Sequence, residues 1–562
     1  MISVNDHHSE KFPNAPKSQN FMKQQASISN FQAMMLGLVA LVMFLPGLFV
    51  IPPIDRDEPR FAQSAKQMVE TGELIDIRFQ DDPRHKKPVG VYWAQAAMVE
   101  LLDPDMSEGI WVHRLVSVVA MVGVVILTAQ TAAILVGARA GMVAGLALAS
   151  MLLVGVEARL AKTDALLLFT IMMAMLPLAQ SFYGLKPSRI LFYAGLGLGL
   201  LVKGPVILIP VLGAIAFISA FRKDLRWLMG LWVWWGPILT LAIAAPWYAA
   251  ITYKTGGAFF VESLGKDLGG KIAKAAEMHG APPGVHSLLL FVLTWPFAIL
   301  LPGLIRRFKI WWREPWALFL LAWVAPVFIV FELVTTKLPH YPMPAYPAIA
   351  ILMGAMFGRM SEGLGGIFPR LLLGLVPTIL GLAMVGGSLV LALEPLWLMI
   401  GCGALLIIMG LASGIMLPKW VANMPGRLPQ ILVALSLVLQ VMLLQVFGPR
   451  IEPLWLSSKL SERATQLKDQ CEGPVGLMGF AEPSAIFLLG TDTKILAQED
   501  LAEFSGLVFT NQQNMPGAFQ APAHMISLDI DPIEGINLNG GKKVSFATWC
   551  ADLHAHVRQP EQ

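Results

Sequence analysis

The sequence has few charged residues. Lys, Arg, Asp and Glu account for only 14% of its 562 residues, whereas hydrophobic residues account for 56%. A soluble chain of this length needs more charge to cover its surface, and a disordered chain needs far less apolar content. The net charge of +3 and the scattering of the basic residues exclude the basic stripe typical of nucleic-acid binding. The composition therefore predicts a polytopic membrane protein.

Cysteine is also scarce. The chain has three cysteines, which excludes a disulfide-dense scaffold and a Cys-rich zinc site. Cys402 lies inside an apolar run, and only Cys471 and Cys550 lie outside one. In an oxidising compartment these two could form a disulfide. Two unpaired thiols are the alternative, because the sequence does not show whether the two residues are close.

Apolar runs long enough to cross about 30 Å of hydrocarbon recur from Phe31 onward. We predict about thirteen transmembrane helices, preceded by a disordered polar tail over residues 1–30. The predicted spans are 31–53, 111–136, 140–157, 163–184, 188–203, 205–221, 227–251, 286–305, 315–334, 342–358, 371–393, 395–417 and 428–448. The two spans that flank Lys203-Gly204-Pro205 could instead form one long interrupted span.

Alternate loops between these spans are basic. Lys and Arg are retained on the cytoplasmic side of a membrane during insertion. The basic loops carry Arg139, Lys186, Arg189, Arg222, Lys223, Arg226, Arg306, Arg307, Lys309, Arg313, Arg359, Arg370, Lys419 and Arg427. The pattern predicts a cytoplasmic amino terminus and an extracytoplasmic carboxyl-terminal region.

The predicted architecture is an all-α membrane domain over residues 31–448 with a small extracytoplasmic α/β domain over residues 449–562. The first outer loop, 54–110, is expected to hold amphipathic helices over 59–72 and 89–101. In the carboxyl-terminal domain the pattern favours a helix at 456–470 and strands at 475–478, 485–489 and 507–510.

Charged residues that border apolar spans on the predicted outer side are the candidate functional residues. Asp57 and Glu58 follow the first span, and Asp164 stands at the mouth of an apolar one. A carboxylate beside a low-dielectric boundary can take a proton or stabilise positive charge. Helix capping is the structural alternative for all three.

Cations lie on the same predicted side. Lys87 belongs to a basic cluster followed by Tyr92 and Trp93, where a lipid headgroup contact is the alternative. Lys203 stands alone between two apolar runs, where it could bind an anion or snorkel to water. A proline-rich loop offers Lys337, His340 and Tyr341, or is merely structural.

These charges gather on one face, which fits transfer chemistry on a substrate with an anionic head and an apolar tail. The residues resemble the polyprenyl-phosphate-dependent GT-C glycosyltransferases, in particular the bacterial aminoarabinose transferases of lipid A, which are related to the protein O-mannosyltransferases. The motifs are Asp57-Glu58-Pro59-Arg60-Phe61-Ala62, Lys87-Pro88 with Tyr92-Trp93, Thr163-Asp164-Ala165-Leu166-Leu167, Lys203-Gly204-Pro205 and Lys337-Leu338-Pro339-His340-Tyr341. The resemblance covers the membrane part almost throughout and is weaker over the last hundred or so residues.

The resemblance implies a sugar donor on a polyprenyl phosphate and an acceptor that is lipid A or another envelope glycan or protein. It implies an inner-membrane enzyme that transfers the sugar, with inversion, at the periplasmic face. The implied roles are catalysis by Asp57, Glu58 and Asp164, donor-phosphate binding by Lys87, Lys203, Arg60 and Lys337, and a pocket bordered by Tyr92, His340 and Tyr341.

The sequence departs from the family pattern at one position. Relatives have Glu directly before the lysine of the Lys-Pro motif, whereas this chain has Lys86. We therefore assign no metal, and only His85, His279 and His340 remain as candidate ligands of a divalent ion. Two alternatives stay open: a protein O-mannosyltransferase, which differs in acceptor, and a transporter or flippase of lipid-linked sugar, in which charges at the bilayer midplane would be typical.

Overall fold

The computed structural model describes residues 27–54, 57–103, 105, 109–268, 281–357, 364, 366–513 and 519–552. Most of them form helices. The membrane part contains α1 (Asn30–Phe44), α2 (Asp57–Thr71), α3 (Gly90–Leu102), α4 (Ile110–Val136), α5 (Ala138–Ser150), α6 (Leu152–Glu157), α7 (Thr163–Phe182), α8 (Arg189–Lys203), α9 (Leu208–Arg222), α10 (Trp235–Thr255), α11 (Val285–Leu293), α12 (Leu301–Trp311), α13 (Pro315–Leu333), α14 (Tyr346–Phe357), α15 (Ile367–Val390), α16 (Leu396–Asn423) and α17 (Leu428–Gln440). A short hairpin of β1 (Arg78–Phe79) and β2 (Asp82–Pro83) joins α2 to α3.

Each predicted apolar run coincides with one or more of these helices. Within the described ranges, eight helical stretches are long and apolar enough to cross a membrane, or up to nine if the bent pair Val285–Leu293 and Phe297–Trp311 forms one span. Three shorter apolar helices add to them, namely Asn30–Phe44, Ala138–Ser150 and Met343–Phe357. The fold is therefore that of a multi-pass membrane protein, and the count of thirteen crossings stays a prediction.

The stretch Arg189–Arg222 is a hairpin of two spans and not one long helix. Lys203, in its middle, contacts Asp164 at the start of α7, whereas the Arg222 guanidinium lies 4.0 Å from the ring centroid of Phe182 at the end of α7. Those two residues of α7 are about 27 Å apart, at 1.5 Å per helical residue. Hence α8 rises along α7, the chain reverses at Gly204, and α9 returns. We call the Lys203 end of the bundle the site end and the Arg222 end the basic end.

The outer-loop helices are close to their predicted bounds. α2 covers 57–71 and α3 covers 90–102, and both pack on the site end through a small apolar cluster that includes Phe61, Val91, Tyr92 and Trp247. The bulk of the buried apolar side chains lies between the long helices of the bundle. The loop region is thus a second layer that covers the site end.

The carboxyl-terminal domain is a six-stranded sheet with two helices. Its elements are α18 (Leu456–Leu467), β3 (Val475–Met478), α19 (Pro483–Leu489), β4 (Lys494–Leu496), β5 (Gly506–Asn511), β6 (Met525–Ser527), β7 (Ile533–Ile536) and β8 (Lys543–Ala551). The strand order is β4-β3-β5-β8-β6, with β7 also paired to β8. β3 runs parallel to β4 and β5, and β8 runs antiparallel to its neighbours.

The predicted strand over residues 485–489 is wrong, because these residues form part of α19. Pro483 is favourable in the first turn of a helix, and an apolar run this short does not reveal its period. Cys471 and Cys550 are disulfide-bonded, with Cα atoms 5.8 Å apart, so the bond joins the end of the α18 segment to β8.

The domain is docked on α2 by polar contacts. The Thr491 hydroxyl donates to Glu70 Oε2 at 2.6 Å and accepts from Gln63 Nε2 at 2.6 Å. Its backbone carbonyl accepts from Gln80 Nε2 at 3.1 Å. Phe487 of α19 lies beneath the Lys66 ammonium, 5.8 Å from it. The domain therefore holds the helix that begins at the candidate residue Asp57.

Candidate active site

The first charged group at the site end is a buried ion pair. Glu58 and Arg114 form two hydrogen bonds of 2.8 Å, and each side chain is 1% exposed. Glu58 also accepts from the backbone N–H of Ile54 at 3.0 Å and of Ala161 at 2.9 Å. Arg114 donates its remaining N–H groups to the carbonyl oxygens of Leu48, Ile51 and Pro52.

This pair joins four parts of the chain: the end of the first span, the start of α2, the first turns of α4, and the turn before α7. Both carboxylate oxygens of Glu58 accept hydrogen bonds, so the carboxylate holds these parts of the chain together. A catalytic role for Glu58 stays a prediction, and the contacts favour a positioning role. The neighbouring Asp57 is exposed, and the ion pair of Glu58 with Arg114 fixes its position.

Replacing Glu58 by glutamine is expected to destabilise the protein strongly. Arg114 would keep its charge in a buried site without its carboxylate, and removing one partner of such a pair costs about 3–5 kcal/mol. Thermal unfolding in detergent measures the loss. The control is Glu73→Gln, which breaks the more exposed pair with Lys254, where about 0–1 kcal/mol is expected. Equal midpoints for the two variants would contradict the structural role of Glu58.

The second group is a cluster of five titratable side chains, which we call the charge cluster. It consists of Glu157, Lys162, Asp164, Lys203 and His340. Lys203 Nζ lies 2.7 Å from Asp164 Oδ1, and Lys162 Nζ lies 3.2 Å from Glu157 Oε1. His340 Nδ1 is 3.6 Å from the same Glu157 oxygen. No side chain of the cluster is more than 17% exposed.

The cluster is assembled from the ends of elements. Glu157 ends α6, Lys162 immediately precedes α7, and Asp164 lies in the first turn of α7, where the helix dipole favours a carboxylate. Lys203 ends α8, and His340 lies in the turn before α14. Sequence separations of up to 183 residues are therefore closed by the antiparallel packing of spans.

The chain reversal beside Lys203 depends on two glycines. Gly204 has φ of +61°, a backbone region that side chains disfavour. At Gly90 a Cβ atom would lie 2.8 Å from the carbonyl oxygen of Leu201, so only glycine lets α3 approach the end of α8 this closely. The segment that carries Lys87 and Pro88 is thereby packed against the hairpin.

Electrostatics keep the cluster charged but hold its histidine neutral. Burial acts to lower the pKa of Lys162, but Glu157, Asp164 and Asp57 outweigh it, so the pKa lies above its usual value. Burial lowers the pKa of His340, and the opposing carboxylates do not restore it. These pKa shifts keep Lys162 protonated and the imidazole of His340 neutral at neutral pH.

The remaining predicted phosphate ligands differ in their surroundings. Lys87 is partly buried and donates to the carbonyl of Lys86 at 3.3 Å. Arg60 is partly buried in the first turn of α2. Lys337 instead caps a helix, because its ammonium donates to the carbonyl oxygens of Phe331, Glu332 and Val334 at the end of α13. These contacts favour a structural role for Lys337.

Two predicted pocket residues are aromatic. Tyr92 is fully buried, with its ring centroid 5.3 Å from that of Phe61. Tyr341 packs beside His340 and Phe331, with centroids 5.3 and 5.5 Å apart. Tyr341 therefore borders the charge cluster through His340, whereas Tyr92 supports the packing of α3 on α2.

Three members of these groups were not singled out from the sequence. Arg114 and Glu157 stand in apolar runs, and Lys162 lies two residues before Asp164. A charged residue within a membrane helix is a functional or structural signal in itself. That rule, applied to every charge in an apolar run, would have found Arg114 and Glu157.

Two of the three candidate metal ligands, His85 and His340, lie in the described part of the chain. His85 Nε2 lies 2.8 Å from Asp76 Oδ1, and the other oxygen of Asp76 is bound by Arg78. His85 Nδ1 is 3.9 Å from Glu262 Oε2, which makes a pair of groups and not a full set of metal ligands. Among the residues that the structure describes, no group of three or more His, Cys, Asp or Glu could hold a metal. His279 lies outside the described residues.

Comparison with known proteins finds similarity to enzymes whose names include a polyprenyl phosphate donor. The sequence model of the family described as dolichyl-phosphate-mannose-protein mannosyltransferase matches residues 86–249, which include Lys87, Asp164 and Lys203. The undecaprenyl phosphate-alpha-4-amino-4-deoxy-L-arabinose arabinosyl transferase of Edwardsiella ictaluri is 28% identical over 350 residues, 59% of this chain and 60% of the relative. The same enzyme of Pseudomonas aeruginosa is 28% identical over 344 residues, 58% of this chain and 60% of the relative. The chain thus spans about 60% of the length of these relatives.

The structural likeness extends further along the chain. The crystal structure of ArnT from Cupriavidus metallidurans bound to undecaprenyl phosphate superposes with a TM-score of 0.75 and 16% identity, covering 95% of this chain and all of that one. The structure of the same protein in the apo state gives a TM-score of 0.72 at 17% identity, covering 94% and 99%. The expected GT-C fold, including the carboxyl-terminal α/β domain, is confirmed.

Proposed function

We propose that the chain is a glycosyltransferase that moves a sugar from a polyprenyl phosphate to lipid A or another envelope acceptor. The proposal is supported by the GT-C fold and by the names of the relatives, which are undecaprenyl phosphate aminoarabinose transferases. The observation that carries it is the buried contact of Lys203 with Asp164 at the apex of a membrane hairpin. A cation held there can receive a lipid phosphate whose prenyl chain lies along the bundle.

The orientation is part of the proposal. The basic end carries Arg189, Arg222 and Arg226, which favours the cytoplasm. The site end then faces the periplasm of a bacterial inner membrane, and the α/β domain lies on the same side because Thr491 binds α2. A disulfide between Cys471 and Cys550 fits that oxidising compartment.

The proposed reaction is a single inverting displacement. An acceptor oxygen forms a bond to the anomeric carbon while the bond from that carbon to the phosphate oxygen breaks, and polyprenyl phosphate leaves with the electron pair. Lys203 stabilises the charge that develops on the leaving phosphate, with Lys87 and Arg60 as further candidate ligands. Asp164 holds Lys203 in place before the donor binds.

Asp57 has a role that depends on the acceptor. A hydroxyl acceptor must lose a proton, which Asp57 can take, because its carboxylate is exposed at the first residue of α2. A phosphate acceptor is already ionised, so Asp57 would then act by stabilising positive charge at the anomeric carbon. No step requires a nucleotide.

The test compares the envelope of cells with and without the gene product. Mass spectrometry of lipid A, envelope glycans and envelope proteins is expected to show a sugar that disappears when the gene is deleted and returns with the wild-type chain. A sugar missing from proteins alone would indicate a protein acceptor, as in the family whose model matches residues 86–249. Unchanged products, with lipid-linked sugar accumulating on the inner leaflet, would favour a flippase and contradict the proposal.

A further inference from the structure

The charge cluster is balanced before any donor binds. Glu157 and Asp164 supply two negative charges, Lys162 and Lys203 supply two positive charges, and burial keeps His340 neutral at pH 7. Asp57 is not counted, because it is exposed to water, which screens its charge. A buried group of ions is stable only when its charges compensate one another. The free protein satisfies this condition without a ligand.

A donor phosphate disturbs that balance. A phosphodiester carries one negative charge, and its contact with Lys203 competes with Asp164, which lies 2.7 Å from the same ammonium. Lys162, whose charge already interacts with Asp164, is the cation to which this carboxylate can turn. Lys162 would then give up part of its contact with Glu157, which leaves one negative charge too many in a site of low dielectric constant.

His340 is placed to correct the excess. Its Nδ1 atom lies 3.6 Å from Glu157 Oε1, close enough for a small shift of the side chain to make a hydrogen bond. The other oxygen of Glu157 is buried and has no hydrogen-bond partner in the described part of the chain. Histidine is the side chain that gains or loses charge most readily near neutral pH. The ionisable groups that face it are Glu157, Lys162, Asp164 and Lys203.

We infer that His340 takes up a proton from solvent when the donor phosphate binds, and that the resulting imidazolium pairs with Glu157. The inference rests on the proposed function, because it requires an anionic lipid phosphate at Lys203. The proton stays on the imidazole ring, and no bond to the substrate forms or breaks in this step. His340 and Glu157 are therefore positioning residues, which let a buried site accept an anion.

The pH dependence has a defined sign. Burial lowers the pKa of His340 in the free protein, and a bound phosphate raises it. Between these two pKa values binding takes up a proton, so affinity increases as pH falls, by up to about tenfold per pH unit. Above the pKa of the complex, and below that of the free protein, affinity no longer changes with pH.

The experiment uses the full chain in nanodiscs of zwitterionic lipid and the methyl diester of undecaprenyl phosphate as the probe. This phosphodiester keeps a single charge throughout the pH range of the measurement, so any proton uptake belongs to the protein. Titration calorimetry in two buffers with different ionisation enthalpies gives the number of protons taken up, and a pH series gives the slope of log Kd. We expect wild type to take up a fraction of a proton that approaches one as pH falls into the window between the two pKa values.

The variants identify the residue. His340→Asn is expected to bind the probe without proton uptake and with a flat pH series, and Glu157→Gln is expected to reduce the uptake. The control is His524→Asn, because His524 is also buried and bound to a carbonyl oxygen, but lies in the α/β domain. This variant should behave like wild type. A loss of folding alone would lower binding without selectively removing the pH slope.

Three results would overturn the inference, and they differ in what they mean for the proposed function. Binding of the probe to wild type with no proton uptake at any pH would overturn the role of His340 and leave the proposed function intact. Uptake that persists in His340→Asn would do the same. Failure of wild type to bind the probe at any pH would contradict the proposed donor class, and the inference would fall with it.

Discussion

Transfer is expected to fall about 10²- to 10³-fold or more when Lys203 is replaced by alanine, the range seen when one preorganised group that stabilises developing charge is removed. Lys203 is 17% exposed and contacts Asp164, so its ammonium acts in a largely water-excluded site. The measurement is transfer of sugar from lipid-linked donor in membranes that contain equal amounts of inserted protein.

A second variant separates catalysis from stability. Lys203→Ala also leaves Asp164 as a buried carboxylate without its nearest cation, which by itself destabilises a protein by about 3–5 kcal/mol. In the double variant Lys203→Met with Asp164→Asn both charges are absent, so no unpaired buried charge destabilises the fold. We expect the double variant to insert normally and to remain inactive. Recovery of transfer in it would show that Lys203 serves only to neutralise Asp164.

A matched lysine provides the control. Lys254, near the end of α10, forms an ion pair with Glu73 of the outer loop, but both side chains are about a third or more exposed. Lys254→Ala is expected to retain nearly full transfer, because an exposed pair contributes about 0–1 kcal/mol. Similar losses for Lys254→Ala and Lys203→Ala would indicate a general effect of charge on the loop region and would contradict the assignment of Lys203.

The spans and the side on which the charges gather were predictable from the sequence. Hydrocarbon thickness fixes the length of an apolar run. At Lys203-Gly204-Pro205 the sequence left two alternatives open, two spans or one interrupted span, and the structure has a chain reversal there. Asp164 and Lys203 were both selected as charges at the mouths of spans, and the structure brings them to 2.7 Å. The short distance between Lys203 Nζ and Asp164 Oδ1 was not predictable, because hydropathy does not show which spans pack against each other.

The separation of catalytic from structural charges was not predictable. Glu58 and Asp57 are adjacent in sequence, yet the side chain of Glu58 is 1% exposed and paired with Arg114, whereas Asp57 is exposed to water. Which of two neighbouring carboxylates points inward depends on the packing of α2 against α4, a tertiary property. The structural role of Lys337 also depends on tertiary packing, because its ammonium can cap α13 only if the loop folds back over the end of that helix.

Asp57→Asn is the other substitution expected to have a large effect, with transfer reduced about 10²- to 10⁴-fold if the carboxylate acts as a general base. Asn keeps the shape of the side chain and removes only the charge. Asp57 is exposed, and its position in the first turn of α2 contributes at most about 1 kcal/mol through the helix dipole. Insertion and thermal stability should therefore be close to wild type.

The comparison with Asp81→Asn makes this result specific. Asp81 is an exposed carboxylate of the same loop, in the turn between β1 and β2, and its loss should leave transfer unchanged. The two proposed roles of Asp57 differ in whether a proton moves during transfer. If Asp57 is a base, wild type should show a solvent deuterium isotope effect on the transfer step, whereas a purely electrostatic role toward an ionised phosphate acceptor should show none. Wild-type turnover in Asp57→Asn would contradict the assignment of Asp57 as a catalytic residue. The catalytic role would then fall to the lysines of the charge cluster.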